Sequence, residues 1–113
     1  QTHFVLGVRS LNLFNKKNAI LSVLGGVLGG GMSSRLFVKL REEMGVGYYV
    51  RAGNDSYTDH GIFQISAGVD NKRIEEVIEA VLEECRKLKN EKVGVEELNK
   101  VKECLIGNMK LSL

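Results

Sequence analysis

Apolar and polar positions alternate in blocks along the chain, and the period of each block predicts its element. Thr2 to Val8 is short, β-branched and aromatic, which predicts a largely buried strand. Asn15 to Gly31 reads as a helix, with Asn15 as N-cap and an uncharged body from Ala19 to Met32. That body is about 14 residues where spanning a bilayer takes roughly 20, so it is expected to be a buried core helix. Gly25 with Gly29, and Gly26 with Gly30, recur at i,i+4 and leave bare backbone on one helix face, open to close approach by another element. Gly29-Gly30-Gly31 then breaks the helix. Ser33 or Ser34 is expected to cap a second helix running to Met44, striped by Leu36, Phe37, Leu40 and Met44 and stopped by Gly45.

Gly47–Asn54 and Gly61–Val69 alternate as strands do, with the polar stretch Asp55–His60 as the connecting loop. Phe63, Ile65, Ala67 and Val69 share one face, and in the preceding strand Tyr48 shares a face with Val50 and Ala52. Asp70 or Asn71 should cap a long helix with the stripe Ile74, Val77, Ile78, Val81, Leu82, Cys85 and Leu88. A last helix is expected from about Val95, with Leu98, Val101, Leu105 and Met109 inward. The order is β-α-α-β-β-α-α. The fold class is α+β, two layers, an antiparallel-type sheet with helices on one face. Three strands leave at least one sheet edge open.

Composition narrows the function. At 113 residues the chain has the size of one domain, and 43% hydrophobic with 27% charged residues is the balance of a folded protein. The net charge of +2 argues against nucleic acid as a partner, and no polybasic membrane patch or acidic tail interrupts the mixed charges. Cys85 and Cys104 lie far apart with no C-x-x-C pair, which favours free thiols and a reducing compartment such as the cytoplasm. The chain starts at Gln1 and ends at Leu113 in an apolar stretch, so a fragment is expected.

Candidate chemistry is sparse. His3 and His60 are isolated and have no second ligand at helical spacing, so no metal site and no cofactor is expected in this chain. The run Gly29–Arg35 could suggest a phosphate loop, but it lacks the lysine, a preceding strand and the G-x-G-x-x-G spacing. Ser33 and Ser34 have no nearby histidine to activate them, and capping accounts for them. Arg41 and Tyr48 remain. Their bland explanations are a cation at a helix C-terminus and a half-buried strand tyrosine. The glycine loop Gly45-Val46-Gly47 folds the chain so that both could enter one cleft, where guanidinium and phenol would suit peptide carbonyls.

The segments Leu28-Gly29-Gly30-Gly31-Met32-Ser33-Ser34-Arg35-Leu36-Phe37 and Leu40-Arg41-Glu42-Glu43-Met44-Gly45-Val46-Gly47-Tyr48-Tyr49-Val50 carry a resemblance. They closely resemble the second homologous domain of the pitrilysin/insulinase-like zinc metallopeptidases, the inverzincins, which include mitochondrial processing peptidase. The likeness runs from about Phe4 to Leu113. It implies about half of one lobe of a peptidase clamshell, a partial domain over residues 1–113. The family's H-x-x-E-H zinc motif belongs to its first domain, so the resemblance implies zinc in another domain or subunit. The second domain contributes an arginine and a tyrosine seven residues apart that hold the substrate backbone, and these match Arg41 and Tyr48. Val46 stands where the family usually has leucine. The resulting expectation is a zinc-endopeptidase fragment that binds peptide substrate, has no catalytic residue of its own, and is inactive and homo-oligomeric when isolated. Two other functions fit the same sequence: a piece of a non-catalytic homologue serving as an assembly scaffold, or a stand-alone module binding peptides at an open sheet edge.

Overall fold

In the computed structural model, which describes residues 1–112, three strands and four helices follow in the expected order. Strand β1 is Thr2–Ser10, helix α1 Asn18–Gly29 and helix α2 Arg35–Phe37, which runs directly into a π-helical turn, Val38–Glu43. Strands β2 (Gly47–Ser56) and β3 (Gly61–Val69) form a hairpin. A 3-10 turn, Asn71–Arg73, leads into α3 (Ile74–Asn90), and α4 (Val95–Ser112) follows. The sheet order is β1-β3-β2 and both pairings are antiparallel.

The alternation in β3 decides which face is buried. Phe63, Ile65, Ala67 and Val69 point toward the helices and meet Leu28 of α1, Leu36 and Leu40, and Val77 and Val81 of α3 in one core. Register carries this face across the sheet, through Ala67 and Ile65 to Phe4 and Leu6 on one side and to Val50 and Ala52 on the other. Among the described residues no apolar layer covers the opposite face: Val5 and Ile62 there are exposed.

Glycine sets the distance between α1 and β2. A Cβ on Gly29 would lie 2.7 Å from the Ala52 nitrogen, and one on Gly25 3.1 Å from the Ala52 oxygen, so helix backbone rests directly on strand backbone. Gly26, on the next face, receives Val101 of α4.

The structure departs from the sequence pattern at several places. Strand β1 is not largely buried: it is an edge strand, with Phe4 and Leu6 half-covered and Val8 exposed. Helix α1 starts at Asn18 because the asparagines before it close local turns. Asn12 Oδ1 accepts from the Phe14 amide (3.2 Å) and Asn15 Oδ1 from the Lys17 amide (2.9 Å). Ser34 precedes α2 but caps nothing with its hydroxyl, which donates instead to the Gly31 carbonyl at 2.6 Å. Asp55 and Ser56 extend β2, so the turn is only Tyr57–His60. On α3, Ile78 and Leu82 are exposed and Glu84 is buried in their place, and Met109 of α4 is 68% exposed rather than inward.

Candidate functional site

The corner between α2 and β2 is built from two local irregularities. Helical bonding widens at Val38–Glu43, where the Met44 amide donates to the Lys39 carbonyl, five residues back, at 3.0 Å. Gly45 then takes φ +67°, the left-handed conformation that glycine adopts without a Cβ penalty. Because the turn is wide, the Val46 amide reaches back six residues, to the Leu40 carbonyl at 2.9 Å. Arg73 closes the end by donating to the Met44 carbonyl at 2.8 Å while holding Glu76.

The second irregularity is in β2. Gly47 pairs with Val69 and Tyr49 with Gly68, so two residues of β2 oppose one step of β3. Tyr48 is the extra residue of a β-bulge. This corrects the alternation: Tyr48 does not share the buried face of Val50 and Ala52, and it is 60% exposed. Gly47 packs against the helix end, where a Cβ would lie 3.3 Å from Leu40 Cβ and 3.7 Å from the Arg41 nitrogen. Arg41 and Tyr48 thus leave the same corner, one from each side. Arg41 is exposed with its guanidinium over the Phe37 ring, Cζ 5.2 Å from the centroid, and it forms no ion pair among the described residues. No hydrogen bond joins the two side chains among the described residues.

Other candidates resolve into structural roles. Among the described residues no group of three or more His, Cys, Asp or Glu could hold a metal. His3 Nδ1 is 3.0 Å from the Tyr49 hydroxyl, and His60 Nδ1 is 2.7 Å from Asp59. That donor set does not fit zinc. Cys85 and Cys104 are free thiols, and burial together with nearby Glu84 pushes the Cys85 thiol up, away from a reactive thiolate. No helix of the described residues is long and apolar enough to cross a membrane.

Two pairings escaped the sequence pattern. Arg35 makes a two-pronged bond to Glu97 of α4, at 2.9 and 2.8 Å, which holds the Glu97 carboxyl below its ordinary range and raises Arg35. Tyr49, next to Tyr48, lies on the open sheet face with His3 and Arg51. Strand alternation around Val50 was the signal available for Tyr49 and Arg51, whereas nothing local marks Arg35 and Glu97, 62 residues apart. Grooves flank the molecule, among them one of about 280 Å³ between α1 and α4 and an apolar one of about 390 Å³ lined by Leu6, Val8, Leu24, Phe63, Cys85 and Leu88. Arg41 and Tyr48 line neither.

The fold and corner define a two-layer α+β module that presents donors and lacks a metal-ligand cluster among the described residues. The profile described as the peptidase M16 inactive domain matches residues 1–105. The chain belongs to that family. It is 36% identical over 113 residues to a protein of Bacillus subtilis (strain 168) named uncharacterized zinc protease YmxG, covering 100% of this chain and 28% of that protein. An uncharacterized zinc protease of Rickettsia felis is 34% identical over 110 residues, covering 96% of this chain and 26% of the relative. The chain therefore spans just over a quarter of these relatives. Among solved structures, the peptidase M16 inactive domain from Pseudomonas fluorescens superposes with TM-score 0.83 at 25% identity, over 96% of this chain and 26% of that one. A protease from Helicobacter pylori gives TM-score 0.87 at 24% identity, over 95% of this chain and 26% of that one, a likeness of fold.

Proposed function

We propose that this chain is the substrate-holding part of a zinc endopeptidase, a partial domain that grips the peptide backbone while another domain or subunit carries the metal. One observation carries the reading: the π turn and the β-bulge turn two unspent donors, Arg41 and Tyr48, out of one glycine corner. Both irregularities consist of an extra residue, and both recur beside functional sites in proteins generally. A planar guanidinium and a phenol in that position suit successive carbonyls of an extended peptide. The family and its zinc-protease relatives support the same reading. Isolated from its parent, the chain is expected to hydrolyse no peptide, and the uncovered apolar groove favours self-association, measurable by light scattering at micromolar concentration.

The test is made in the full-length protease. Arg41→Ala and Tyr48→Phe should each reduce kcat/KM by about 10- to 1000-fold, the range for losing one positioned donor. Zinc content and melting temperature should stay near wild type. Arg41→Lys should recover little, since an ammonium lacks the planar fork. Near-normal turnover with a large loss of stability would overturn the proposal and leave both residues as packing groups.

A further inference from the structure

The open face of the sheet carries a second arrangement of donors beside this corner. His3 and Tyr49 both pair with Gly68, one from each neighbouring strand, so the three lie in one row. Tyr49 lies flat across the sheet over Gly68, where a Cβ would meet its ring at 2.5 Å. Its hydroxyl is 3.0 Å from His3 Nδ1 and the two rings stack at 5.6 Å. Arg51, the next residue on that face, sets its Cζ 5.6 Å from the Tyr49 centroid. With neutral imidazole, either tautomer leaves one donor unused by the pair: Nε2–H if the phenol donates to Nδ1, or the phenol O–H if Nδ1 donates.

The carboxylates nearby are engaged or distant. Asp70, just past this end of β3, accepts from the Lys72 amide at 3.0 Å. Asp55 is four residues along β2 from Arg51, about 13 Å in an extended strand, and accepts from Gln64 at 2.9 Å. The patch therefore offers a guanidinium held on an aromatic ring, with a further donor in the same row and, among the described residues, no acid paired with it.

We propose that His3, Tyr49 and Arg51 form a carboxylate subsite, selecting peptide substrates with an acidic side chain close to the bond being cut. The inference rests on the reading of Arg41 and Tyr48, since Tyr49 follows Tyr48 in the chain and fixes the subsite next to the backbone grip. A guanidinium stacked on Tyr49 gives up less freedom on binding than a free arginine, and a charge-assisted pair is the stronger class of hydrogen bond.

The experiment uses the full-length protease and a peptide series in which each position flanking the scissile bond carries Glu, Gln or Lys in turn. At one position Glu should exceed Gln in kcat/KM by about five- to thirtyfold. Arg51→Gln should bring that ratio close to one, and Arg51→Glu should invert it in favour of Lys. A wild-type enzyme indifferent to Glu at every position, or a Glu preference that survives both variants, would overturn the subsite. Arg41→Ala separates the two ideas: it should depress Glu, Gln and Lys peptides alike, and if it does not, the backbone grip itself fails whatever the Glu-to-Gln ratio.

Discussion

Helices α1 and α4 are attached to the molecule in opposite ways. Helix α1 lies on β2 with backbone against backbone, at Gly25 and Gly29. Helix α4 meets α1 through a side chain, Val101 against Gly26, and is tied by the Arg35–Glu97 ion pair, and its outer residues Ile106 and Met109 are exposed. The first contact has no tolerance, because main chain cannot move without moving the sheet. The second can loosen by a small shift of α4, since Val101 itself is held to one rotamer in its helix. The helix mounted on β2, the strand that begins at the Arg41–Tyr48 corner, is thus the rigidly held one.

Matched substitutions sharpen the contrast. Gly29→Ala should cost about 2–3 kcal/mol, roughly 10 °C or more in melting temperature, since the methyl would meet the Ala52 nitrogen at 2.7 Å. Gly26→Ala meets the Val101 side chain of α4, its nearest methyl at 2.5 Å, and regains up to about 1 kcal/mol of helix propensity. Its net effect should lie within about 1 kcal/mol of zero, so equal losses from the two alanines in urea unfolding would break the comparison.

Glu97→Gln should cost about 1 kcal/mol or less, because the pair is partly exposed. The loss should be local, with faster amide exchange along α4 and little change in α3. The pH dependence has a definite sign. Arg35 holds the folded-state Glu97 carboxyl below its ordinary value of 4.5, so the pair stabilises fully above that value and is lost as pH falls through the depressed one. Protection of α4 should therefore decline below about pH 4.5 in the wild type, and the Gln variant should show no such decline from this site. The smallest effect is expected for Tyr48→Phe, which should shift stability by less than about 0.5 kcal/mol because the ring is exposed.

The sequence revealed most where a periodic pattern met a complete layer. Leu36 and Leu40 and the alternation from Phe63 to Val69 marked the core directly, because each of those residues has an apolar neighbour across the interface. The pattern misled where the layer stops. Helix α3 uses only one side of its apolar stripe, which leaves Ile78 and Leu82 outside, and the aliphatic stem of Glu84 is buried instead, its carboxylate 3.4 Å from Lys87. Beyond Leu105, α4 leaves the body, and Met109 is exposed. At the candidate site, Arg41 and Tyr48 were legible through the family resemblance, as two residue types seven positions apart. Their directions were not, because a π turn and a bulge both break the period from which direction is read.

Those two irregularities also make the corner a matter of residue counting. Each is a single-residue insertion in a regular element, and Gly45 separates them. Removing Glu42 or Glu43, the exposed end of the π turn, would restore ordinary helical winding and rotate the following residues by about 100° about the axis. Deleting Tyr48 alone would leave β2 in unbroken pairing, with Gly47 and Tyr49 adjacent in register. Neither deletion removes a core side chain from Leu36, Leu40, Val50 or Val69. A lineage of such domains would lose the proposed grip on peptides by losing one codon on either side of the glycine, with the core side chains of Leu36, Leu40, Val50 and Val69 all retained.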